Sequence, residues 1–189
     1  IYLQEFAYAP NTGENAEGMP GHYKAGGFYH SGKFFHLYED VNGGSFVVTG
    51  LPAKKRIGNY GFYLHADQML YRERGTDQGL TAMTVFTLAP SGWNTFPFFF
   101  DCGLIYKGLI PHRDKDVAAV GLSYGKWSRD LARSQRDDRD FNGRDIRQQD
   151  YEIVLDFNYK VQVTDWFFVQ PDIQYIMNCN GTGQYPNAL

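Results

Sequence analysis

The segment "DYEIVLDFNYKVQVTDWFFVQPDIQYIMN", residues 150–178, opens with an unbroken alternation. Tyr151, Ile153, Leu155, Phe157, Tyr159, Val161 and Val163 are bulky and apolar. Between them stand Glu152, Val154, Asp156, Asn158, Lys160, Gln162 and Thr164, nearly all polar. Successive side chains of a β-strand point to opposite faces, so this pattern demands a strand with one greasy and one charged face. A half-buried strand in a soluble sandwich alternates too, but strands usually run only about five or six residues. A longer strand whose apolar face is rich in rings suits a thicker apolar layer. The hydrocarbon interior of a bilayer, crossed by about 9–11 tilted residues, is such a layer.

The same period recurs along the chain. "HYKAGGFYH" places Tyr23, Ala25, Gly27 and Tyr29 opposite Lys24, Gly26, Phe28 and His30. "NYGFYLHADQMLYRE" places Tyr60, Phe62, Leu64, Ala66 and Leu70 opposite Tyr63, His65, Asp67, Met69 and Tyr71. Gln68 interrupts the apolar set, and either a bulge or a contact with other protein is expected there. "FPFFFDCGLIYKG" separates Phe98, Phe100, Cys102, Leu104 and Tyr106 from Phe99, Asp101, Gly103, Ile105 and Lys107. "VAAVGLSYG" separates Ala118, Val120, Leu122 and Tyr124 from Ala119, Gly121, Ser123 and Gly125. "LTAMTVFTLA" and "IYLQEFAY" are apolar on both parities and leave their faces open. No long segment carries a 3.6-residue apolar stripe, so helices are not expected.

Connections of unequal length separate these stretches. Residues 9–21 form a medium turn, and a long connection is expected over 35–58. "RERGTDQG", "PSGWN" and "PHRDKD" are short. The polar run "SRDLARSQRDDRDFNGRDIRQQ" is long, Thr164–Asp165 is a minimal turn, and "NCNGTGQYPN" follows near the end. Long loops at one end and tight turns at the other are what membrane barrels show. Tyr8, Tyr60, Tyr71, Phe96, Tyr124, Trp166, Phe167 and Tyr175 stand near expected strand ends, where rings with polar tips favour the headgroup level.

Composition agrees with a barrel and disfavours other classes. Phe 15, Tyr 14 and Gly 21 are high, and 43% hydrophobic residues without one long apolar run fit a membrane protein that crosses with half-polar strands. A formal charge of −3 offers nothing to nucleic acid, and the Arg129–Asp150 run mixes both signs, as a solvated loop does. Cys102 and Cys179 are too few for a disulfide framework and read as unpaired thiols. His65 and Asp67 share a face, but no third ligand stands at a metal-like spacing, so a solvated polar pair is the better reading. "NGTGQY" has no helix after it to hold a phosphate. Neither a catalytic residue nor a cofactor or metal site is expected.

Several stretches together are similar to one known family. "YKAGGFYH", "GNYGFYLHADQMLYRE", "GLTAMTVFTLAPS", "FDCGLIYKGLIPHRDKDVAAVGLSYGKWS" and the closing segment through "PNAL" resemble the carbohydrate-selective porins of the OprB family. The most specific blocks are "RDKDVAAVGLSYGKWS" and the closing pattern on Tyr159, Val163, Thr164, Trp166, Gln170, Pro171, Asp172, Gln174, Tyr175, Pro186, Asn187 and Ala188. The resemblance implies an all-β fold, an antiparallel transmembrane barrel of sixteen strands in an outer membrane. On that template the 189 residues would form one incomplete C-terminal portion of about eight strands, with the N-terminal half and last strand outside it. Both chain ends look cut. Counting back from a last strand that descends to the periplasm puts "NCNGTGQYPN" and the Arg/Asp-rich run outside the cell. Thr164–Asp165 and "PHRDKD" then lie in the periplasm.

The implied function is passive diffusion of glucose-like sugars through a water-filled lumen. Lys24, His30, His65, Asp67, Asp101, Lys107, Glu152, Asp156, Lys160 and Asp172 would be charges of the lumen wall, and Tyr63, Phe99 and Trp127 the rings on which sugars stack. The implied partners are outer-membrane lipid, the sugar in transit and the rest of the same barrel, with homo-oligomers left open. Two other readings stay in play: a general or ion-preferring porin, and, from another class, a soluble all-β binding module.

Overall fold

In the computed structural model, which describes residues 1–13 and 18–188, the strands are β1 (Tyr2–Tyr8), β2 (Gly21–Asp40), β3 (Ala53–Arg72), β4 (Gly79–Leu88), β5 (Phe98–Lys107), β6 (Val117–Lys126), β7 (Tyr151–Gln162), β8 (Phe168–Val169), β9 (Asp172–Cys179) and β10 (Tyr185–Ala188). They form one ten-stranded, wholly antiparallel sheet, an up-and-down meander. Each strand up to β7 pairs with its neighbours in sequence, and both β8 and β9 pair with β7 in a single register, Val161 with Val169 and Asn158 with Asp172. The segment between them keeps that register, since the Tyr159 amide donates to the Pro171 carbonyl at 3.2 Å. The ten segments therefore amount to eight full strands and the start of a ninth, as expected for part of a barrel. The sheet does not close: β1 and β10 are its edges.

The greasy face is exposed. Among the described residues only two hydrophobic side chains, Met69 and Ala118, are buried. Phe62, Leu64, Phe157 and Ile173 are 62%, 56%, 55% and 59% exposed. Registers of β1 to β9 align these residues with Phe6, Ala25, Phe86, Leu104, Val120 and Leu155 on one continuous surface. A soluble monomer rarely leaves apolar patches above a few hundred Å² uncovered. This surface instead suits acyl chains. The two strands of open assignment now divide: Tyr2, Gln4, Phe6 and Tyr8 share the apolar face with Leu80, Ala82, Thr84, Phe86 and Leu88.

Rings border this face at both ends. At one end Tyr2 lies beside Tyr29 and Tyr124 stacks on Tyr151, with ring centroids 6.5 and 6.0 Å apart. At the other, Tyr8 stacks on Tyr23 at 6.3 Å, and Trp166 neighbours Phe167 in the turn after β7. Tyr175 does not belong to either border, because it pairs with Leu155 in mid-strand. Tyr71 changes sides. The register slips between Met69 and Tyr71, placing Tyr71 opposite Leu80 on the apolar face. The expected bulge is thus at Leu70, two residues beyond Gln68. Cys179 ends β9 rather than lying in a turn, and both cysteines are free thiols.

Two expectations about the connections need correction. The long connection over 35–58 is mostly strand, since β2 runs to Asp40 and β3 starts at Ala53. Register shifts between His30 and Lys33 and between Phe35 and Asp40 break the parity there and hide the strand's period. His36 occupies the second irregularity, its Nδ1 accepting the amides of Tyr38 and Glu39 at 3.2 and 2.8 Å. The polar run after β6 is no simple solvated loop either. It contains a helix, α2 (Arg129–Asn142), capped by Ser128, whose hydroxyl accepts from the amides of Asp130 and Leu131. Gly143, at φ 65°, ends it in the left-handed conformation. Its buried residues are Ser134, Asp137 and Asp138, so no apolar stripe announces it.

Among the described residues, all helical segments gather at one end of the sheet: α1 (Phe46–Thr49), a 3₁₀ turn (Ser91–Trp93) and α2. The opposite end carries the medium turn after β1 and the shorter turns before β4, β6 and β8, and the one before β6 is tightly tied. Asp116, only 2% exposed, accepts from Arg113 Nε and Nη2 at 2.7 and 3.0 Å, the Tyr159 hydroxyl at 2.7 Å and the Gln162 amide at 2.9 Å. Burial alone would raise its pKa, but Arg113, Tyr159 and the amide outweigh it and hold the carboxyl below its ordinary value of 3.8. A pKa lowered by folding adds stability above the unfolded value, and that share is lost as pH falls through the lowered one. Asp116→Asn is therefore expected to destabilise the full barrel at neutral pH, with the gap from the parent closing as pH falls below 3.8. Urea unfolding followed by tryptophan fluorescence at a series of pH values measures this. A gap independent of pH would overturn it.

Candidate functional site: the polar wall

The residues opposite the greasy face line up in rows across the sheet. One row runs Lys24, His65, Val85, Asp101, Ser123, Val154; the next runs His22, Asp67, Met83, Gly103, Gly121, Asp156, Gln174. Lys24, His30, Tyr63, His65, Asp67, Phe99, Asp101, Lys107, Glu152, Asp156, Lys160 and Asp172 all lie on this one face. Trp127 follows β6 directly, and its amide donates to the Asp150 carbonyl, one step further along the β6–β7 register.

These candidates line a wall and do not converge on one point. Near β1 to β3, Lys24 Nζ stands 3.5 Å from Glu5, which also accepts from the Tyr63 hydroxyl. Asp67 sits between His22 Nδ1 at 2.8 Å and His65 Nε2 at 3.9 Å. His30 accepts the Gly32 amide at 3.0 Å and meets Phe34 edge-on. In the middle of the sheet, Asp101 accepts from the Ser123 hydroxyl at 3.0 Å. Asp156 accepts from Asn158 at 2.8 Å and Gln174 at 3.0 Å, while Asp172 pairs with Asn158 across the strands. Towards the short-turn end Lys107 is bound to Asp77 of the adjoining turn, and Lys160 lies over the Phe168 ring at 4.4 Å. Towards the helical end Glu152 accepts the Asn180 amide, and Trp127 packs on Phe96 with ring centroids 4.0 Å apart. Phe99 pairs across the strands with Gly125, whose missing side chain leaves room for Phe96 and Phe99.

The helical end folds over this same face. Asn94, beside the 3₁₀ turn, exchanges hydrogen bonds of 2.8 and 3.1 Å with Asn59, a buried residue of the polar face. Ser128 reaches the Ser91 carbonyl at 2.7 Å, and Ser134 of α2 donates to the Leu37 carbonyl of β2. Two arginines stack where these segments meet: Arg56 over Trp93 at 4.6 Å and Arg133 over Tyr38 at 3.8 Å. Sequence reasoning missed Glu5, His22, Arg56 and Arg133. Leu3 shares Glu5's face and blurred β1, whereas Arg56 and Arg133 act through loop packing that no periodicity records.

The arrangement can solvate a path for polar molecules: alternating donors and acceptors on one side, hydrocarbon contact on the other. The whole chain, residues 1–189, matches the model of the carbohydrate-selective porin OprB family. It is 31% identical over 193 aligned residues to Porin B of Pseudomonas aeruginosa, covering 98% of this chain and 42% of that protein. The solved structure described as the high pH structure of Pseudomonas putida OprB superposes with a TM-score of 0.91 at 27% identity, over 98% of this chain and 45% of that one. The chain thus spans less than half the length of these relatives.

Proposed function

Because this chain belongs to the OprB family of carbohydrate-selective porins, we propose that it forms part of an outer-membrane barrel through which sugars diffuse passively. The observation that carries the reading is the division of the sheet into an exposed apolar face and a polar face continuous over eight strands. On this reading the polar face is the wall of a water-filled lumen, the helical end is the cell exterior and the short-turn end is the periplasm. The lumen charges and amides exchange with the solute's water shell, and Tyr63, Phe99 and Trp127 offer ring faces to its C–H groups. The open edges at β1 and β10, together with the 45% coverage of the solved porin, support closure of the barrel by further strands of a longer chain. No catalytic role is assigned to any residue.

A sugar path must bind weakly enough to release its solute. Millimolar affinity, about −4 kcal/mol, meets that need. Glucose added to the full-length protein in a planar bilayer should therefore reduce the ion current in a saturable way, with half-block in the millimolar range. A current that glucose does not saturably block, with neutral and charged solutes passing strictly by size, would replace this reading with a general porin.

A further inference from the structure

We infer that a recess in the wall between β5, β6, β7 and β9 is a docking site for a single neutral pyranose, gripped through its hydroxyls by Asp101 and Asp156. The inference rests on the sugar-porin reading and names where on the wall, and by which groups, the solute is held. The recess has a volume of about 520 Å³, within the roughly 300–1,000 Å³ typical of small-molecule sites. It exists because side chains are missing. Gly103 and Gly121 face each other in register and leave bare backbone between taller neighbours.

The chemistry around that floor suits a neutral polyol. Asp101 rises on one side, and Asp156, Asn158 and Lys160 on the other. Met83, Ile105 and Val154 supply hydrocarbon for the sugar's C–H groups. Both carboxylates are oriented by neutral donors: Asp101 by Ser123, and Asp156 by Asn158 and Gln174. Neither forms an ion pair among the described residues, whereas Glu5, Asp67 and Asp77 each face a lysine or histidine. A carboxylate offers about four lone-pair positions, so each keeps acceptor capacity for a solute's O–H groups. Such charge-assisted bonds are roughly twice as strong as neutral ones. Lys160 donates from the periplasmic side. Two carboxylates against one ammonium leave the recess net negative, which favours a neutral sugar over a sugar acid.

The two glycines are not equivalent. A Cβ on Gly103 would come within 2.9 Å of the Val120 carbonyl, too close for any larger residue. A Cβ on Gly121 would meet nothing nearer than the Cys102 carbonyl at 3.7 Å and Asp156 Cβ at 4.0 Å. Gly121→Leu can therefore fill the recess without disturbing the sheet. In bilayers of the full-length protein, Gly121→Leu should raise the half-blocking glucose concentration at least tenfold, and Asp156→Asn several-fold. Leu122→Ile, on the lipid face, should leave it unchanged. Gluconate should block the parent more weakly than glucose does, and the double variant Asp101→Asn, Asp156→Asn should narrow that difference. If glucose blocks the parent saturably but neither Gly121→Leu nor Asp156→Asn shifts the half-block, the recess is not the site, and the sugar-porin reading stands. If gluconate blocks the parent as well as glucose does, the neutral-sugar assignment fails. If glucose does not block the parent at all, the sugar-porin reading falls, and the recess with it.

Discussion

Arginine at Leu155 or Phe157 is expected to cost about 2–4 kcal/mol in the folding of the full barrel into lipid. Leu155 sits halfway along β7, between Leu122 of β6 and Tyr175 of β9, and all three belong to the apolar face. At that depth a guanidinium has neither water nor a counter-charge within reach. The same substitution at Asn158, on the polar face, keeps the charge in the aqueous lumen and should leave assembly intact while altering ion selectivity. Urea-titrated folding into phosphatidylcholine vesicles separates the two. Equal loss at both positions would count against a sheet with one lipid face and one aqueous face, and so against the barrel reading.

A second large effect concerns the 189 residues produced on their own. The sheet ends in β1 on one side and β10 on the other, and Tyr2, Phe6 and Tyr8 of the β1 edge are 72%, 71% and 69% exposed. An edge strand presents a row of unpaired amides and carbonyls. In hydrocarbon each of these costs several kcal/mol, and in water the greasy face has nothing to cover it. The isolated chain should therefore aggregate in detergent-free buffer and show no cooperative melt. Sedimentation velocity and calorimetry test this. A monodisperse, cooperatively melting solution would contradict the membrane reading as well.

Most of the sheet was legible because lipid and water sort side chains by parity. Where both neighbours of a residue are regularly paired, as along β5, β6 and β7, alternation gave the faces of Phe98–Lys107 and Tyr151–Gln162 directly. It failed where the backbone departs from regular pairing. The bulge at Leu70 carried Tyr71 across the sheet, and the irregular half of β2 looked like loop. Helix α2 was illegible for a different reason. It buries Ser134, Asp137 and Asp138 against other polar groups, so hydrophobic periodicity had nothing to detect, and only Ser128 and Gly143 mark its ends. The wall residues could be assigned to a face one by one. Their partners could not, because the contacts of Asp67 with His22 and of Asp101 with Ser123 depend on inter-strand register.

Helix α2 leaves the end of β6 at Ser128 and, within its first two turns, is fastened to the far end of β2 through Arg133 and Ser134. Geometrically it is a chord, and the rim from β2 to β6 is the arc it subtends. A meander of paired strands hinges easily about its hydrogen-bonded seams, so the strands alone would let the rim flatten or bow. With that link tied at Ser128 and again at Arg133 and Ser134, the curvature of that part of the mouth is held, and flexing is left to the parts of the circumference that no brace spans.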